Sequence, residues 1–99
     1  MEIRTHDSGN TRTLVLIGRL DALTSSDLEE PLRESCEQWG STVIDCAQLD
    51  YVSSAGLRVL LTGQKAASKH EHKLTLTHVS DDVREVFDIT GFSRILNID

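Results

Sequence analysis

Only two cysteines and a single proline, Pro31, occur in the 99 residues. Cys36 and Cys46 are not at CxxC spacing; one falls in an expected helix and the other at the end of an expected strand. That pattern excludes a redox dithiol motif and gives no disulfide framework, and free, partly buried thiols in a reducing compartment are expected. No apolar run is long enough to span a bilayer. The start, Met1-Glu2-Ile3-Arg4, has no signal-peptide pattern, so a cytoplasmic location without membrane insertion is expected. Basic residues are outnumbered, 10 Lys and Arg against 16 Asp and Glu, for a formal net charge of -6. Nucleic-acid binding needs a basic stripe, so that class is set aside; a partner presenting basic residues is compatible. Repeats, low-complexity segments and linkers are also lacking. What is present, 38% hydrophobic and 26% charged residues, is ordinary for one globular domain over residues 1–99. A chain of this length can bury a core without metal or disulfide staples.

Hydrophobic periodicity predicts the order β-β-α-β-α-β-α-β. Met1 to His6 alternates as an edge strand, Asp7-Ser8-Gly9-Asn10 is a turn cluster, and Thr11 to Ile17 is a strand. Its run Leu14-Val15-Leu16-Ile17 suits a strand covered on both faces, and the pair reads as an antiparallel hairpin. Ser26 and Glu29 have capping-box spacing before a helix to about Trp39, with Leu28, Leu32, Cys36 and Trp39 on one face. Pro31 falls inside it and predicts a late start, a 3₁₀ turn or a kink. Gly40 is the expected C-cap. Ser41 to Cys46 reads as a buried strand, followed by a short polar turn to Val52 and a helix from the serine pair Ser53-Ser54 to about Lys69. Lys73 to Val79 alternates as a strand, Ser80-Asp81-Asp82 opens a helix with Val83, Val86, Phe87 and Ile89 as its apolar face, and Thr90-Gly91 stops it. Ser93 to Ile98 is a short final strand or extended tail. Strands joined through helices run parallel with right-handed crossovers. The fold class is α/β: a mixed sheet, mostly parallel with an N-terminal antiparallel hairpin, and helices mainly on one face.

Few residues are placed for chemistry. His6, His70, His72 and His78 are scattered, without a cysteine or carboxylate cluster at ligand spacing, so no metal is expected. Ser54-Ala55-Gly56 has the last glycine of a nucleophile elbow, but Val52 stands where the first would be and no histidine is placed to activate Ser54. A small enzyme using Ser54 therefore lacks its base. No glycine-rich phosphate loop occurs, and no cofactor is expected. What remains is the serine pair on a strand–turn–helix corner. A hydroxyl there can cap the helix, and a phosphate there would meet unpaired N–H groups and a favourable dipole. The residues alone leave both readings open, with the cap the commoner role.

Tyr51-Val52-Ser53-Ser54-Ala55-Gly56-Leu57 resembles the phosphorylation loop of the STAS domain family, the anti-sigma factor antagonists. Gly18-Arg19-Leu20-Asp21 with Thr24 resembles the family's second signature, usually Gly-Glu-Leu-Asp followed by threonine. Val83 to Gly91 with Phe92 resembles its last helix, so the likeness covers essentially the whole chain. It implies a non-enzymatic partner-switching regulator. The unphosphorylated form binds a cognate serine kinase that doubles as an anti-sigma factor, of the histidine-kinase-like ATPase fold, and frees that kinase's client. Phosphorylation ends the binding, and a serine phosphatase resets it. Matching Gly56-Leu57 puts the acceptor on Ser54, with Ser53 as a minor rival. The partner surface would take in Asp21, Thr24, Ser53, Ser54, Gly56 and Arg58. Gly56 would keep the turn slim for the kinase. Asp21 and Thr24 have the alternative role of stabilising their own turn, and Arg58 can screen a phosphate, touch the partner or be an ordinary exposed arginine. Three positions depart from the family pattern: Ser53 replaces the usual Asp, Ala55 a second hydroxyl, and Arg19 the usual Glu. A STAS subunit of a membrane transporter, docked on an ABC ATPase, is the alternative.

Overall fold

A computed structural model describes residues 1–99. Strands β1 (Glu2–Ser8) and β2 (Thr11–Leu20) form the hairpin; α1 (Ser25–Gln38), β3 (Ser41–Val52), α2 (Ser54–Lys69), β4 (Lys73–Thr77) and α3 (Asp81–Thr90) follow. A 3₁₀ turn over Phe92–Arg94 leads to the two-residue β5, Asn97–Ile98. The sheet order is β1-β2-β3-β4-β5, antiparallel between β1 and β2 and parallel elsewhere. This is the α/β mixed sheet that the periodicity predicts.

The register explains the core. Ile44 lies opposite Leu14 on one side and Leu76 on the other. Side chains two apart share a sheet face, so Leu14, Leu16, Thr42, Ile44, Leu74 and Leu76, all buried, form one face. Leu28, Leu32 and Cys36 of α1, Leu57 and Leu60 of α2, and Val83 and Phe87 of α3 complete the same core cluster. Val15, Ile17 and Val43 point the other way and are only half-buried. The apolar run in β2 therefore does not mark a strand covered on both faces; on its second face Val15 lies opposite Arg4 and Asp45, and Ile17 opposite Glu2 and Gln48. Burial pushes the Cys36 thiol up to about 11 and the Cys46 thiol up to about 12. Both sulfurs are fully inside and inert at neutral pH.

Several local expectations give way to tertiary structure. The polar turn expected after Cys46 is strand, because β3 runs on to Val52. Its pairing with β2 shifts by one residue between Asp45 and Gln48 and again between Leu49 and Tyr51. Each shift lets β3 gain a residue on β2, and its buried positions change spacing from two (Thr42, Ile44, Cys46) to three (Leu49, Val52). The Asp45 carboxylate accepts from the Ala47 amide at 3.0 Å at the first irregularity and pairs with His78 Nδ1 at 3.1 Å. β2 likewise continues past Ile17 to Leu20.

Helix α1 does not use the Ser26–Glu29 capping box. Thr24 is its N-cap and makes no side-chain cap bond, because that hydroxyl is engaged in the preceding loop. Pro31 causes neither a late start nor a 3₁₀ turn: α1 is α-helical from Ser25 to Gln38, held down by buried Leu28, Leu32, Ser35 and Cys36. Trp39, not Gly40, is the C-cap, and it is half-exposed with the Arg12 guanidinium 4.9 Å over its ring rather than in the core. Ile89 is 77% exposed and does not belong to the apolar face of α3. Gly91, at φ +80°, ends α3 in the left-handed conformation that glycine adopts without a Cβ penalty. No helix is long and apolar enough to cross a membrane.

Candidate functional site

The site lies where β2 and β3 end side by side. Leu20 pairs with Val52, and the Leu20 carbonyl accepts from the Ser53 amide at 2.9 Å, so the start of α2 is tied to the end of β2. Ser53 is extended, at φ -95° and ψ 174°, and is the N-cap of α2. Its hydroxyl accepts from the Gly56 amide at 3.4 Å and its carbonyl from the Leu57 amide at 2.9 Å. Ser54 is the first helical residue; it is exposed, and its hydroxyl is not used in the cap. The two serines thus divide the roles the sequence leaves open. One side chain closes the helix end, and the other faces solvent at the positive end of the helix dipole. At 3.4 Å the cap bond is long, so Ser53→Ala is expected to cost only about 0.5 to 1 kcal/mol in urea unfolding, the low end of the capping range.

Gly56 makes a close approach within the chain. It is buried, and a Cβ there would stand 2.7 Å from Leu20 Cγ and 2.9 Å from the Leu20 carbonyl oxygen. The close approach it permits is between α2 and its own strand β2.

Asp21 and Thr24 form a closed loop before α1. Asp21 Oδ1 accepts from the Leu23 amide at 3.0 Å and the Thr24 amide at 3.1 Å. Thr24 Oγ1 donates to the Arg19 carbonyl at 2.6 Å and accepts from the Asp21 amide at 2.9 Å. The hydrogen bond from the Thr24 amide, above all, holds the Asp21 carboxyl below the usual carboxylate range; the Leu23 amide, the Thr24 hydroxyl and Arg19 add to it, against some desolvation. A depressed folded pKa means stability that is present above the unfolded value, about 3.9, and lost as pH falls through the folded value. Acidification is therefore expected to loosen this loop. The Leu23 and Thr24 amide resonances should shift with a midpoint below that of an ordinary aspartate, and Asp21→Asn should abolish the titration.

Two features beside this loop have no clear sequence signal. Leu23, between Asp21 and Thr24, is 88% exposed. Arg19 lies with its guanidinium 4.3 Å over the Tyr51 ring and its Nε 3.5 Å from Asp21 Oδ2. The contact follows from the Arg19–Tyr51 pairing after the second register shift, which alternation alone would not reveal. Arg58 sits one turn after Ser54, exposed and without an ion pair within 4.0 Å. It lines a groove of about 200 Å³ between the N-terminal turns of α1 and α2, with Ser25, Ser26, Glu29, Ala55, Val59 and Thr62. The histidines lie apart from this end: His72 Nδ1 bonds the Cys36 carbonyl at 2.9 Å, and His78 bonds Asp45.

Known proteins share this architecture. BtrV of Bordetella bronchiseptica is 36% identical over 84 residues, 84% of this chain and 72% of that protein. The anti-sigma-B factor antagonist of Listeria monocytogenes is 30% identical over 99 residues, 99% of this chain and 86% of that protein. The Bacillus cell fate determinant SpoIIAA, solved in its phosphorylated form, superposes with a TM-score of 0.76 at 15% identity, covering 99% of this chain and 91% of that one. The family model described as "Mlab, STAS domain" matches residues 3–97, from the first strand through the last, and on that match the chain belongs to the STAS domain family.

Proposed function

We propose that this chain is a cytoplasmic, non-enzymatic anti-sigma factor antagonist in a bacterial partner-switching pathway. In its unmodified form it binds a serine kinase that is also an anti-sigma factor, of the histidine-kinase-like ATPase fold, and so frees that kinase's client. Phosphorylation of Ser54 ends the binding, and a serine phosphatase restores it. The observation that carries this reading is the division between the serines. Ser53 is committed to the cap, while Ser54 is exposed and uncommitted. A kinase acting here would modify Ser54 without dismantling the helix end. The names of the relatives support the antagonist reading over the transporter subunit. A neighbour of the same fold is named in its phosphorylated form.

The partner surface is proposed to centre on Ser54 and Arg58, with the Asp21–Thr24 loop beside them. Because the carboxylate of Asp21 and the hydroxyl of Thr24 are spent inside their loop, these residues act by shaping it. Incubation with the cognate kinase and ATP tests the assignment. One phosphate, mapped to Ser54 and lost in Ser54→Ala, supports it. Phosphate on Ser53, or none together with co-purification on a transporter ATPase, overturns it.

A further inference from the structure

We infer that Arg58 is the built-in counter-charge for a phosphate on Ser54, an ion pair across one turn of α2 that forms only after modification. The inference rests on the reading of Ser54 as the phosphoacceptor and adds what receives the phosphate once it is there.

Ser54 and Arg58 are both exposed and four residues apart on α2, the spacing at which helical side chains meet. A negative group placed N-terminal to the positive one is the favourable order. The first turn of α2 carries no acidic residue, so nothing on the helix itself competes for the guanidinium. Arg58 has no ion pair within 4.0 Å, whereas Arg19, near the same end of the sheet, is occupied by Asp21 and stacked on Tyr51. The charged group facing Arg58 from α1 is Glu29, across the shared groove. From the strands, Asp21, Arg19 and Asp50 lie toward the same end of the sheet. In the unmodified chain, Arg58 shares the groove with Glu29 without an ion pair to it. A phosphate of about -1.5 to -2 charges, one turn away, outcompetes a single carboxylate. The guanidinium then turns to the phosphate and away from Glu29. One modification would thereby change two places on the surface: the Ser54 corner gains charge, and the groove between α1 and α2 becomes more negative.

The test uses the full chain with phosphoserine installed at position 54 during translation, which removes any dependence on a kinase. The readout is the second ionisation of the phosphate, followed by ³¹P NMR. An exposed pair of this spacing is expected to lower its midpoint by about 0.2 to 0.4 units relative to Arg58→Gln. Arg58→Lys should retain part of the shift, and about 1 M salt should remove it. Thermal unfolding of the unmodified Arg58→Gln chain should match wild type, because Arg58 holds nothing in that state. Equal midpoints in wild type and Arg58→Gln at low salt would overturn the inference and leave the phosphoacceptor assignment standing. Failure of the kinase to modify Ser54, measured separately, would overturn the assignment instead.

Discussion

Ser54→Asp is expected to fold as the wild type does and to bind the partner kinase on the order of a hundredfold more weakly. The two halves of that result have separate causes. An aspartate at the first helical position lies against the positive end of the α2 dipole, an interaction worth about 0.3 to 1 kcal/mol. It displaces no hydrogen bond, because the cap belongs to Ser53. The melting temperature should therefore be unchanged or slightly raised. At the interface, one new charge about 5 Å from a partner carboxylate costs roughly 3 kcal/mol at an effective dielectric near 20. That corresponds to about two decades in Kd. Circular dichroism with a binding titration separates the effects. An unfolded Ser54→Asp would mean that the serine is chiefly structural.

Gly56→Ala should lower stability by up to about 2 kcal/mol, although alanine is the better helix former. Propensity alone favours the substitution by about 1 kcal/mol in a helix interior. Against it stands the space at this position: the added methyl would be 2.7 Å from Leu20 Cγ, 2.9 Å from the Leu20 oxygen and 3.0 Å from Leu20 Cδ2. Leu20 is fully buried, so its side chain has no solvent to move into, and its carbonyl is held by the Ser53 amide. The methyl can be accommodated only by shifting α2 away from β2, and overpacking of this kind costs about 1 to 3 kcal/mol. Urea unfolding gives the sign directly. A neutral or stabilising result would mean that the helix end is looser than the packing around Leu20 implies.

The Gly56-Leu57 pair after the two serines is thus explained by packing within the chain. Only a residue without a Cβ lets α2 start so close to the end of β2, and Leu57 then enters the core. Sequence patterns carry this logic unevenly. The strand and helix order was readable because Leu14 and Leu16, Leu74 and Leu76, and Leu57 and Leu60 keep strict periods. The end of β3 was not, because its two register shifts change the buried spacing from two to three, and exposed Gln48, Asp50 and Tyr51 then resemble a turn. The start of α1 departs from its sequence pattern for a related reason. Ser26 and Glu29 have the right spacing for a capping box, but the Asp21–Thr24 loop fixes the helix start two residues earlier, at Thr24. At the site, motif matching singled out Ser54, yet only the placement of the Ser53 hydroxyl on the Gly56 amide separates cap from free hydroxyl. The exposure of Leu23 and the Arg19–Tyr51 stack depend on loop closure and on register, which leave no periodic trace.

The most direct test is the Kd of the kinase for the unmodified chain against that for the chain carrying phosphoserine at position 54. A dianionic phosphate repels more strongly than aspartate and is costlier to desolvate, so a loss of about 4 kcal/mol, on the order of a thousandfold, is predicted with the fold unchanged. Equal affinity of the two forms, or weakened binding accompanied by unfolding of α2, would contradict the switch.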